Sequence, residues 1–203
     1  MLNIVDISMG IIDKKIIEQT VDIHLKTFTG FFLTFLGKGF LKELYTGYAE
    51  HEKSGLIIAE EEGKVLGFLA YSEELSGLYK YLIKRKLIKF AWFSLWAFLR
   101  KPGSFMRLIR AFLKPGESVR DESYVELASI GVLPEQKGKN IGTQLIKCLQ
   151  AKFDPDKFSY IKLETDAENN ESVNNFYIKN GFRLAASYET NEGRKMNEYR
   201  WNI

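Results

Sequence analysis

The stretch from Glu126 to Ile146, ELASIGVLPEQKGKNIGTQLI, constrains the fold more than any other part of the chain. It lies across an apolar run suited to a strand, Tyr124 to Leu133, a proline-bearing turn, a glycine-containing loop, and an amphipathic helix expected from Ile141 to Phe153. A strand that turns so soon into a helix leaves the first helical N–H groups without intrahelical acceptors, and the helix dipole adds positive potential at the same place. Such an end can seat a pyrophosphate. Gly138 and Gly142 permit close backbone approach, Asn140 tolerates a left-handed conformation, and Lys137 and Lys139 add charge. Neither the dinucleotide pattern G-x-G-x-x-G nor the Walker pattern G-x-x-x-x-G-K-[ST] is present.

Around this unit the periodicities alternate between those of helix and strand. Leu2 to Ser8 reads as a half-buried strand, and Asp13 is placed to cap a helix from Lys14 to Phe28. Thr29 to Gly39 reads as a loop or bent helix and Phe40 to Glu50 as a helix with its apolar residues on one side. Gly55 to Glu60 and Lys64 to Tyr71 form a hairpin about Glu61-Glu62-Gly63. Beyond the central unit come a strand at Tyr160 to Thr165, a short helix at Ser172 to Lys179, and strands at Phe182 to Glu189 and Lys195 to Trp201 joined through Asn191-Glu192-Gly193. The order is α+β, and 203 residues fit one domain.

The composition, 45% hydrophobic and 27% charged, excludes disorder and a membrane-spanning class. The single cysteine, Cys148, falls in an apolar helical pattern and reads as a buried residue; it has no partner for an internal disulfide. With two histidines besides, no metal site is expected. No signal-peptide pattern opens the chain, so a cytoplasmic location is expected.

Two motifs together point to a family. Lys137-Gly138-Lys139-Asn140-Ile141-Gly142 resembles the [Q/R]-x-x-G-x-[G/A] loop of the GNAT superfamily, the GCN5-related N-acetyltransferases, with lysine for the first residue and asparagine for the central glycine. Asn170, Tyr177 and the pair Gly181-Phe182 then follow at the family's spacing, in the expected order after one strand. The resemblance covers the chain except Leu75 to Gly116. It implies a mixed, mostly antiparallel central sheet flanked by helices, and transfer of an acetyl group from acetyl-CoA to a primary amine by direct attack, with no metal.

The same resemblance implies the roles. Main-chain groups of Ile130, Gly131 and Val132 would hold the pantetheine arm, Lys137 to Thr143 (Lys137, Gly138, Lys139, Asn140, Ile141, Gly142, Thr143) the phosphates, and Asn170 the cofactor arm. Tyr177 would be the general acid. Glu126 is either the general base or a solvated edge-strand glutamate, since register is not fixed by sequence to one residue. Glu164 and Asp166 are weaker candidates for the base, and His24 reads as a helix-surface residue.

Leu75 to Gly116 forms an insertion between the third and fourth strands, where the resembled family has a short turn. It reads as two apolar, helical pieces broken at Lys101-Pro102-Gly103, and it carries ten basic residues and no acidic one, which leaves 19 basic against 26 acidic elsewhere. Its apolar run is too short to span a bilayer. Three readings stand: packing on the sheet or on a second subunit as a homodimer, peripheral contact with a membrane surface, and a lid over a phosphate-bearing acceptor such as a nucleotide-linked amino sugar. The acceptor itself is a small-molecule amine of unspecified kind. Competing functions are an inactive CoA-binding sensor, which would have lost Tyr177 and its base, a membrane-surface acyltransferase-like module, and nucleic-acid binding, which the acidic remainder disfavours.

Overall fold

The computed structural model describes residues 1–8, 13–100, 123–190 and 193–201. Among these, seven strands make one sheet: β1 (Asn3–Ile7), β2 (Ser54–Glu61), β3 (Lys64–Ser72), β4 (Tyr124–Val132), β5 (Tyr160–Asp166), β6 (Arg183–Glu189) and β7 (Lys195–Trp201). Their order is β1-β2-β3-β4-β5-β7-β6, and every pairing is antiparallel except β4 with β5. The helices are α1 (Lys14–Thr27), α2 (Phe32–Phe35), α3 (Lys38–Glu50), α4 (Leu75–Arg100), α5 (Ile141–Ala151) and α6 (Glu171–Lys179). Asp13 caps α1 as expected, its Oδ1 accepting from the Lys15 N–H at 2.8 Å.

The middle strands carry near-continuous apolar runs, LIIA in β2 and VLGFLAY in β3, as strands covered on both faces do. Helices supply the two covers. Phe68 meets the Tyr45 ring of α3 at 5.1 Å between centroids, whereas a side chain at the adjacent Gly67 would meet Ile141 of α5. Successive strand residues point to opposite faces, so α3 and α5 lie on opposite sides of the sheet.

Two irregularities shape β4. Against β3, Ala70 pairs with Ser129 but Tyr71 pairs with Leu127, so Ala128 is an extra residue on β4. Against β5, pairing runs only from Tyr124↔Tyr160 to Glu126↔Lys162, although both strands continue. Beyond Glu126 the two parallel strands part, and the sheet opens into a notch.

The chain between β3 and β4 enters as α4, a helix through Arg100; the expected break at Lys101-Pro102-Gly103 and the second piece lie outside the described residues. Leu78, Leu82, Lys86 and Phe90 recur every fourth residue and form its buried face, with Phe90 against Phe40 of α3 at 4.6 Å. The buried ammonium of Lys86 is held by Glu43 at 3.3 Å and Glu50 at 2.8 Å, both on α3. Leu87, Ile88 and Trp92 stand in solvent. No described helix is long and apolar enough to cross a membrane. Truncating the fully buried Phe40 to alanine is expected to lower the unfolding free energy by about 3–5 kcal/mol, read as a shift in the urea midpoint, because it empties the joint between α3, α4 and the sheet.

Candidate active site

The notch is the mouth of a cleft of about 1010 Å³. One wall comes from α1, α2 and the turns between them and from α3 and α4; the other comes from β4, the end of β5, α6 and the start of β7.

At one end lies the first turn of α5. Gly138 has φ +87° and Asn140 φ +62°, so this pair turns the chain through left-handed conformations directly before the helix. Among the described residues the N–H groups of Gly138, Asn140, Ile141, Gly142 and Thr143 have no backbone acceptor, and nothing stands where a Gly138 side chain would project. Gly142 has a different reason to be glycine: a Cβ there would lie 3.0 Å from the Phe176 ring of α6. Lys137, Gly138, Asn140, Ile141, Gly142 and Thr143 all line the cleft; Lys139 does not. Ile130 and Val132 line it too, whereas Gly131 faces the opposite way, leaving room for the Phe68 and Phe28 rings. These donors, with one ammonium and a helix dipole behind them, fit a polyanionic ligand.

Asn170 ends the turn before α6, its Nδ2 donating to Thr165 Oγ1 at 2.9 Å and to the Asp166 carbonyl at 3.1 Å. It thereby ties the free end of β5 to α6 and places its own edge on the cleft. Tyr177 lines the cleft but is 7% exposed, packed among Phe176, Phe182 and Tyr199. Burial raises its phenol above the usual range, so the hydroxyl keeps its proton.

Glu126 sits where β4 and β5 separate. It is 8% exposed, on a strand flanked by β3 and β5, so the solvated edge-strand alternative does not hold. Lys162, its partner in register, lies 3.6 Å from Glu126 Oε2 and closer, at 2.7 Å, to Glu164 Oε1. Glu126 Oε2 is buried without a hydrogen bond. Burial, opposed by the Lys162 charge, pushes this carboxyl up to about 7. The weaker candidates have other engagements: Glu164 also accepts from the Tyr188 hydroxyl at 2.6 Å, and both Asp166 oxygens accept from Arg194, at 2.5 and 2.7 Å.

His24 is not on the helix surface. It is 3% exposed, with Nδ1 2.6 Å from the Tyr45 hydroxyl, to which Ser129 also hydrogen bonds. Desolvation lowers its pKa to about 4, so the ring is neutral. Its position was readable: Ile17, Thr20, Val21 and His24 repeat at helical spacing and are all buried. Tyr48 and Tyr79 were also missed. Both line the cleft, and Glu126 acts on the hydroxyls of both, which burial raises. Cys148 is half-buried beside the core rather than within it.

The model of the Acetyltransferase (GNAT) family matches residues 18–182, from α1 to the start of β6. The chain belongs to the GNAT acetyltransferase family. Solved GNAT-type folds resemble it over their whole lengths. The ribosomal-protein-S18-alanine N-acetyltransferase of Escherichia coli has a TM-score of 0.58 at 13% identity, covering 100% of this chain and 94% of that one. An acetyltransferase of the GNAT family from Bacillus cereus has a TM-score of 0.58 at 14% identity, covering 100% and 99%. A Drosophila melanogaster polyamine N-acetyltransferase that forms N-acetylagmatine has a TM-score of 0.57 at 11% identity, covering 99% and 100%. At these identities the likeness is one of fold. No curated protein matches the chain in sequence. Membership of the GNAT family makes it an acyltransferase, and the α+β sheet expected from the two motifs is the one observed.

The elevated Glu126 pKa has a consequence for folding. In the unfolded chain this carboxyl titrates near 4.5, whereas in the fold it holds its proton up to about 7. The folded state therefore binds the proton more tightly, and Glu126 makes stability fall as pH rises from about 4.5 to about 7. Glu126→Gln is expected to flatten that decline, measured as urea unfolding midpoints at pH 5 and pH 8.

Proposed function

We propose that this chain moves the acetyl group of acetyl-CoA onto a primary amine of a small molecule. The observation that carries the reading is that a single cleft has an open helix N-terminus at one end and, where β4 leaves β5, a buried carboxylate lacking a hydrogen bond on one oxygen. The donor substrate supplies an activated thioester carbonyl. The N–H groups of Gly138 and Asn140 to Thr143, with the Lys137 ammonium, hold its phosphates. The edge of β4 at Ile130 and Val132 is left without a strand partner by the departure of β5, the Thr27 hydroxyl donating to the Val132 carbonyl at 3.3 Å, and it offers main-chain partners to the arm. Asn170 borders the same arm from the other side. Gly131 and Lys139 contribute through the turn and the packing behind it.

Glu126 takes one proton from the incoming ammonium. The free amine then forms the C–N bond, the C–S bond breaks, the nitrogen releases its second proton to water, and Tyr177 protonates the departing thiolate before recovering a proton from solvent, to which Glu126 also returns its own. Glu126 suits its task because its pKa is near neutrality. Tyr177 suits its own because burial keeps it protonated. Fixed orientation in the cleft supplies the remaining advantage.

Coenzyme A release measured with acetyl-CoA and a panel of primary amines tests the reading; binding of acetyl-CoA without release for any amine would instead support a sensor. In the transferase, kcat/KM is expected to rise with pH and level near 7, and Glu126→Gln to remove that limb. Tyr177→Phe is expected to lower kcat by about 10²-fold with little change in acetyl-CoA affinity by calorimetry. Unchanged turnover would take Tyr177 out of the mechanism.

A further inference from the structure

The end of the cleft around Glu126 has a composition of its own. Leu44 and Tyr48, one turn apart on α3, and Leu75 and Tyr79, one turn apart on α4, all line the cleft, and Glu126 influences both tyrosine hydroxyls. Phe28, Phe31 and Leu33 add further apolar lining to the cleft.

Charge there is nearly matched. Asp166 is matched by Arg194, and Glu198, buried beneath, by Arg200 at 2.8 Å. Glu126 and Glu164 share the single ammonium of Lys162. Among the described residues, with Glu126 ionised, these four carboxylates face three cations, a surplus of one negative charge and room for one cation.

The described basic side chains of α4 lie elsewhere. Lys80, Lys84 and Arg85 are exposed, Lys86 is held by Glu43 and Glu50, and Lys89 by Glu43 at 2.9 Å; none of them lines the cleft. The part of the insertion that reaches the cleft is Leu75 and Tyr79. Among the described residues, then, the insertion gives the acceptor an apolar wall rather than a phosphate receptor.

Resting on the transferase reading, we propose that the acceptor is a singly charged primary amine on an apolar or aromatic body without phosphate or carboxylate, selected by Leu44, Tyr48, Leu75 and Tyr79. The ammonium is drawn to the surplus charge at Glu126, and the body is desolvated between α3 and α4. Among the described residues, a second cation at this end finds no further acid, and an anionic group would lie beside Glu126 and Glu164, where the described cations are already in ion pairs.

The test compares coenzyme A release for 2-phenylethylamine, n-hexylamine, spermidine, glycine and glucosamine 6-phosphate at saturating acetyl-CoA. The two apolar monoamines are expected to exceed the other three in kcat/KM by tenfold or more. Leu75→Lys is expected to reduce kcat/KM for 2-phenylethylamine about tenfold, with acetyl-CoA KM and thermal midpoint unchanged. If that variant is unstable, Leu75→Gln serves in its place. Faster transfer to glucosamine 6-phosphate, glycine or spermidine would overturn the acceptor class while leaving the transferase standing. An unchanged preference in folded Leu75 variants would remove α4 from selection. Acetyl-CoA binding without release to any of the amines would overturn the transferase reading and this one with it.

Discussion

The parting of β4 from β5 after Glu126 is the constraint from which the rest of the site follows. Two parallel strands that stay paired would consume each other's main-chain groups and close the sheet. Here three pairs form and then the strands diverge, so beyond Glu126 the edge of β4 has no strand partner on that side and faces a cleft. The extra residue at Ala128 bends the same strand, and β5 is held away by the attachment of its free end to Asn170 and, through Asp166, to Arg194. The split needs support on both sides, and α3 on one face and α5 on the other provide it.

Electrostatics follow from that geometry. At the point of divergence a carboxylate is buried with its register partner, yet the partner's ammonium lies closer to Glu164. Desolvation therefore outweighs the nearby ammonium, and Glu126 titrates near neutrality instead of as an ordinary glutamate. At the other end of the cleft, helix-end amides and one lysine make a positive site. A gradient from positive to negative along one cleft suits the polyanionic donor and cationic acceptor of the proposed reaction.

Much of this was legible in the sequence because it is local. The strand, turn and helix about Lys137 to Gly142 depend on residues a few positions apart, and the left-handed Asn140 follows from the side chain alone. The hairpin of β2 and β3, the cap at Asp13, and the insertion after β3 were likewise readable; the helix ends moved slightly, with α3 starting at Lys38 and α5 ending at Ala151. What was not legible is set by contacts distant in sequence. The face occupied by Glu126 could not be counted along β4 because the extra residue at Ala128 resets the alternation. The burial of Tyr79 requires knowing that α4 docks on α3. His24 is a different case: its place on the apolar stripe of α1 was visible, but its polarity suggested the surface, whereas a neutral imidazole sharing a hydrogen bond with Tyr45 sits comfortably inside.

The pairing of Lys86 with Glu43 and Glu50 fixes more than a helix. It sets the lateral position of α4 on α3, and with it the spacing between Leu75–Tyr79 and Leu44–Tyr48. The proposed acceptor wall therefore belongs to a layer in which one ion cluster clips α4 to α3, while the proposed phosphate grip belongs to the strand–helix unit that follows β4. A lineage could exchange the first layer, or re-angle it by altering that cluster, without disturbing the second, so that new acceptors could be acquired on an inherited donor site.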